Sequence, residues 1–176
     1  YWRGLAYGNG IYVAVGPSYG TIMTSTDGET WTKRTVGSVV WKDIAYGNGK
    51  FIIISNGCYF STSTDGITWT NPKIISNAEQ EYDVITFGNG KFVVAEGYQG
   101  NTQTTTDGET WTTPNTSAGS HNWESIAASD GKFILVGHSG YVTTSVDGIT
   151  WETPYKLKDE KGSIVSIILY GVCATQ

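Results

Sequence analysis

Arginine is almost absent from this chain: Arg3 and Arg34 are the only two in 176 residues. Eleven Lys and Arg against sixteen Asp and Glu leave a net charge of −5, and the positive residues are scattered rather than gathered into a stripe. Nucleic acid and anionic membrane surfaces, which need such a stripe, are therefore excluded as expected partners. No apolar run approaches the roughly 20 residues that cross a bilayer as a helix, which argues against membrane insertion. Helix formers are sparse. The two cysteines, Cys58 and Cys173, make neither a metal-binding spacing nor a disulfide framework, so the compartment and their redox state stay open.

Glycine and aromatic residues are abundant, at 23 Gly, seven Trp and eleven Tyr, a composition suited to short strands joined by tight turns. They recur in a pattern. Ser25-Thr26-Asp27-Gly28-Glu29-Thr30-Trp31 returns around Asp65-Gly66 to Trp69, Asp107-Gly108 to Trp111 and Asp147-Gly148 to Trp151, with the aspartates 38, 42 and 40 residues apart. A period of that length marks an array of supersecondary units. Tyr1-Trp2 opens in mid-repeat, so any upstream signal or domain is expected outside this sequence.

About 20 residues before each aspartate lies a second fixed piece: Trp2 to Gly10, Trp41 to Gly49, Tyr82 to Gly90 and Trp123 to Gly131. Each ends in Asn-Gly or Asp-Gly followed by an apolar run, the strongest short signal for a hairpin. The Asp-Gly of the first motif marks a second hairpin. Two hairpins give four strands, A to D, expected in the second repeat near 40–46, 50–55, 59–64 and 67–71. Strand B, as in Phe51-Ile52-Ile53-Ile54, is apolar on both faces and suits burial; strand C, as in Thr102-Gln103-Thr104-Thr105, suits a half-wet outer position.

These features predict an all-β fold, a β-propeller of four-stranded antiparallel blades. One domain spans 1–176, with blades near 1–34, 35–73, 74–115 and 116–155. The remainder, 156–176, is a closing strand or partial blade, because Gly162 to Gly171 aligns with Gly37 to Gly47 after one deletion.

Ser-x-Asp-Gly-x-Thr-Trp resembles the Asp-box of sialidase-type propellers, with one residue fewer between Asp and Gly. The resemblance covers nearly the whole chain and implies structural roles: Asp27, Asp65, Asp107 and Asp147 accept hydrogen bonds from turn backbone, and Trp31, Trp69, Trp111 and Trp151 wedge between blades. The tandem form is also similar to repeats of bacteriophage tail, receptor-binding and bacterial surface proteins.

A sialidase clamps its substrate carboxylate with three arginines, whose bidentate fork lysine does not copy. Two arginines cannot build it. Other glycosidases need two carboxylates across a sugar-sized gap; the acidic residues not already assigned to turns or tail are Glu79, Glu81, Asp83, Glu96 and Glu124, which read equally as solvated loop charges. His121 and His138 lack the spacing of a metal site. Asn115-Thr116-Ser117 is a glycosylation sequon in form only. No cofactor is expected.

Function is expected at the end of the array that varies. The A–B and C–D turns repeat nearly unchanged, whereas the B–C turns and D–A linkers differ. The candidate ligand-binding residues there are Tyr19, Tyr59, Glu96, Tyr98, Gln99, Asn101, His121, His138 and Tyr141. Tyr with amides suits sugars or protein epitopes, though the tyrosines equally suit packing over neighbouring blades. The expectation is a binding rather than catalytic module, for a cell-surface glycan or protein, in a virion or on a cell surface. The alternatives are a scaffold that docks other subunits or further copies of itself, and a glycoside hydrolase.

Overall fold

A computed structural model describes residues 1–16, 18–75, 80–112 and 117–172. Glu79, Cys173 and the Asn115-Thr116 part of the sequon lie outside the described residues. The fold is all-β. The first sheet runs β1 (Gly4–Gly8), β2 (Ile11–Val15), β3 (Thr21–Ser25) and β4 (Thr32–Thr35), and the second β5 (Trp41–Gly47), β6 (Lys50–Ser55), β7 (Tyr59–Ser63) and β8 (Lys73–Ile74). The third has β9 (Tyr82–Gly88), β10 (Lys91–Glu96) and β11 (Thr102–Thr105), with a lone Asn101–Ser117 bridge in place of its outermost strand. The fourth has β12 (Trp123–Ser129), β13 (Lys132–Gly137), β14 (Tyr141–Ser145) and β15 (Tyr155–Lys156). All are antiparallel meanders.

The first turn of each sheet has the predicted chemistry. Asn9, Asn48, Asn89 and Asp130 take φ of 47–49°, each followed by a Gly at 73–77°, the pair of left-handed residues that a type I′ turn requires. The second turn is not of the I′ type. There only the glycine has positive φ, and side chains close the loop. Asp65 Oδ1 accepts from the N–H of Ile67 and Thr68 at 2.8 and 2.7 Å, while Ser63 Oγ accepts from Gly66 N–H at 2.8 Å and donates to Asp65 at 2.9 Å. The other three aspartates repeat this. A loop closed in this way consumes the residues assigned to strand D, so the second sheet's outer strand is Lys73–Ile74, not 67–71.

Sheets stack face to face, with β1 against β5, β5 against β9 and β9 against β12 at the inner edge. Each junction holds its own apolar core. Ile11, Val13, Val15 and Ile22 meet Trp41, Ile44, Phe51 and Ile53; Ile52, Ile54 and Phe60 meet Tyr82, Ile85, Phe92 and Val94; Val84, Val93 and Ala95 meet Trp123, Ile126, Phe133 and Leu135. Trp69, Trp111 and Trp151 pack on these cores in turn. Among the described residues no fourth cluster joins the last sheet to the first. The molecule is an open arc of propeller-like sheets.

The expected closing strand is reduced. After Lys156 the chain makes one Lys158–Ile164 bridge, and Ile167 O accepts from Gly140 N–H at 2.6 Å as Val39 O accepts from Gly20 N–H at 2.8 Å. This segment therefore occupies the position of a linker leading into a further inner strand.

Candidate functional site

The inner strand of every sheet starts at the end where the B–C turns and D–A linkers lie, and an aromatic residue followed by a charged one opens β5, β9 and β12 and immediately precedes β1. The charged residues are Arg3, Lys42, Asp83 and Glu124. The arc brings all four around one cleft of about 420 Å³, completed by Asp43, Tyr98 and Tyr170 among others. None of the four is near another in sequence. Propeller symmetry alone assembles them.

Their partners differ. Lys42 Nζ pairs with Asp83 Oδ1, and Asp83 Oδ2 accepts from Gly97 N–H at 2.7 Å. Glu124 Oε1 lies 2.8 Å from His138 Nε2. Arg3 makes no ion pair among the described residues. Asp43 is sunk beside them, its oxygens accepting from Ile44 N–H at 2.8 Å and Ile85 N–H at 2.9 Å. A Cβ at Gly4 would meet Asp43 Oδ1 at 2.7 Å, so β1 accommodates this carboxyl only because Gly4 has no side chain. Burial pushes the Asp43 carboxyl up to about 7 against the pull of the Ile85 and Ile44 hydrogen bonds. Part of the residue still opens to the cleft, but its oxygens face backbone, which accounts for the direction.

The nine sequence candidates separate into groups. Tyr19 and Tyr98 are exposed, at 77% and 69%, and only Tyr98 lines the cleft. Tyr59 begins β7, the expected third strand of its sheet, opposite Ile74, and is half-buried. Tyr141 stacks on His121 with ring centres 3.9 Å apart, Lys156 lies over it, and His121 also meets Trp123 edge-on at 5.5 Å. Burial, and then the Lys156 charge, lower the His121 pKa. Glu96 is buried at the end of β10, where it accepts from Asn101 Nδ2 at 2.6 Å. Asn101 also reaches Gln99 Oε1 at 3.3 Å. These three form a local brace of one loop. His138 lies beside the cleft through Glu124.

Sequence reasoning missed Arg3, Lys42 and Asp43 and left Asp83 and Glu124 among unassigned acids. The signal was present in the charged residue after each strand A aromatic. Among the described residues no three His, Cys, Asp or Glu converge as a metal set.

No protein-family model and no curated protein sequence matches the chain. Solved structures do. YCF48 bound to D1 peptide is 18% identical with a TM-score of 0.69, covering 88% of this chain and 55% of its own. Virginiamycin B lyase from Staphylococcus aureus is 16% identical with a TM-score of 0.73, covering 90% and 56%. Glutaminyl cyclase of Myxococcus xanthus is 15% identical with a TM-score of 0.61, covering 98% and 69%. At such identities the likeness concerns the fold. The chain spans little more than half the length of the first two, and its sheets are those of a β-propeller.

Proposed function

We propose that this chain is a non-catalytic recognition module, an Asp-box propeller whose loop end holds a cell-surface ligand, a glycan, as part of a phage tail or bacterial surface protein. The observation that carries the reading is the cleft on which polar groups of all four repeats converge beside the exposed Tyr98. An aromatic ring flanked by hydrogen-bonding groups suits a sugar, whose faces are apolar and whose edges are hydroxyls. The opposite end offers only near-identical turns. Such a role places the protein in a virion or at a cell surface.

A protein ligand is the second reading. It is favoured by the Arg3 guanidinium, which makes no ion pair among the described residues and suits a peptide carboxylate, and by the D1 peptide named with YCF48. A glycosidase is less well supported: Asp43 has the raised pKa of an acid catalyst, but Asp83 is committed to Lys42 and Gly97.

Glycan and peptide arrays probed with the parent, Tyr98→Ala and Arg3→Gln test the reading. Binding by the parent to a defined glycan, weakened about tenfold or more in both variants, is expected. Selective binding to peptides transfers the site to a protein ligand. No binding to either array, or variants that bind like the parent, overturns the assignment of the cleft.

A further inference from the structure

The repeat departs from itself at one seam. Between the second and third sheets, Lys50 Nζ donates to Asp107 O at 2.5 Å and Lys73 Nζ pairs with Glu109, so two cations of one sheet tie down the aspartate loop of the next. Between the first and second sheets neither tie can form. Ile11 stands where the other repeats have Lys50, Lys91 and Lys132, and Ile67 stands where the third repeat has Glu109. Arg34 replaces a proline, the counterpart of Pro72, Pro114 and Pro154. Proline cannot donate to a ladder, and without one β4 pairs with β3 over all four of its residues, whereas β8 and β15 have two each.

We propose that this seam is a second ligand site, in which the Arg34 guanidinium takes the carboxylate of an acidic sugar, a uronic acid residue. Arg34 lies opposite Ile22 across the β3–β4 ladder, and Ile22 belongs to the core shared with the second sheet. Residues opposed across a ladder share a face, so Arg34 projects on the side that meets Ile67. There it lines a pocket of about 310 Å³ with Thr24, Thr32, Asp27 and Ile67 among others. Thr24, 2% exposed, fixes the fork by accepting from Arg34 Nε at 2.9 Å. Among the described residues no ion pair reaches Arg34 and no partner holds its two Nη groups, which leaves the fork open to a bidentate carboxylate. What Glu109 gives Lys73, a bound ligand gives Arg34.

The walls select the rest of the ligand. Thr70 and Thr112 spend their hydroxyls on the N–H groups of Thr62 and Thr104 at 3.0 Å, whereas Thr32, held by the β4 ladder, is exposed beside Thr26 in the pocket wall. These hydroxyls and the 45% exposed Ile67 suit the polar edges and the apolar face of one sugar ring. Asp27 in the same wall opposes a dianion such as phosphate, because like charges brought together cost affinity. A monoanionic carboxylate is the better fit. The choice of a sugar over another carboxylate rests on the glycan reading of the central cleft; the geometry of the seam does not.

NMR titration of the isotope-labelled parent, Arg34→Gln and Ile67→Glu tests this, with galacturonate and glucuronate trisaccharides, their methyl esters and a tetraglutamate peptide as probes. Thermal melting checks folding, and Arg34→Lys, which keeps the charge without the fork, substitutes should Arg34→Gln fail to fold. In the parent, a uronate is expected to shift the amides of Thr30, Thr32 and Ile67, and its ester to bind about tenfold or more weakly. Arg34→Gln should lose as much. Ile67→Glu should lose as much while melting no lower than the parent, because its own carboxylate occupies Arg34 as Glu109 occupies Lys73. Equal binding of acid and ester, variants that bind like the parent, or no binding overturns the proposal. Shifts confined to Gly97 and Tyr98 overturn it too, by placing the acid in the central cleft, and leave the function proposed for that cleft standing. A cleft that binds no glycan while the seam shifts persist strikes the cleft and not the seam. Tighter binding of tetraglutamate than of either uronate overturns the sugar and assigns the seam to a protein.

Discussion

Gly148 of the fourth aspartate loop lies against Val93 of the third sheet so closely that a Cβ there would meet Val93 Cγ2 at 2.5 Å. Gly28, in the same loop of the first sheet, has almost the same φ, 77° against 74°, but only Tyr12 at 3.8 Å. The two positions share backbone strain and differ in packing. Gly28→Ala is expected to cost about 1–2 kcal/mol from its left-handed backbone, and Gly148→Ala a further 1–3 kcal/mol or so from overpacking. Chemical denaturation of both variants measures the difference, and equal losses would show that the sheets give way freely.

Asp65 closes its loop by accepting from the Thr68 and Ile67 amides, which hold its carboxyl down to about 2. Asp65→Ala should cost about 1 kcal/mol, near the lower end for a lost hydrogen-bonded group, because the released amides reach water. Since the folded value lies below the ordinary carboxylate value of 3.8, this stabilisation is complete above that value and is lost as pH falls toward 2. The melting temperature of Asp65→Ala should therefore approach that of the parent in acid.

Asp43 has the opposite sign. With its folded carboxyl raised to about 7 from 3.8, the folded protein holds a proton that the unfolded chain has released, so stability falls as pH rises between these values. Asp43→Asn should flatten that part of the profile. Melting curves from pH 4 to 8 on both proteins check it, and an unchanged slope would mean that the carboxyl is already ionised.

The two ends of the arc should respond differently. Tyr98→Ala is expected to weaken ligand binding with little change in stability. Asn48→Val should do the reverse, because Asn48 holds a φ of 47° that a β-branched residue resists, and its Nδ2 reaches Gly90 O of the next sheet at 3.2 Å. Whole-cell adhesion together with thermal melting distinguishes them; a stably folded Asn48→Val that loses adhesion would exchange the faces.

The repeat and its Asn-Gly turns were legible because each is a local decision: Asn48 and Gly49 need nothing beyond their own φ. The outer strands were not, since Asp65 diverts Ile67 and Thr68 into a loop by side-chain bonds that look, in sequence, like the start of a strand. Tyr98 and Tyr141 read alike in sequence, yet one stands exposed in a turn while the other begins β14 and lies beneath His121, which arrives from 20 residues earlier. The cleft was hardest to see. Arg3, Lys42, Asp83 and Glu124 acquire a common address only when the sheets are arranged around an axis.

Because, among the described residues, the apolar interior is split into three separate junctions and no hydrophobic cluster spans the arc, cooperativity runs along one dimension, from each sheet to the next. Opening should begin at a terminal sheet and travel inward like a zipper, with hydrogen exchange graded from the first sheet toward the second and third. Such a molecule is lengthened or shortened by whole units with little disturbance to the rest, and its resistance to unfolding is set by its weakest seam rather than by its total core.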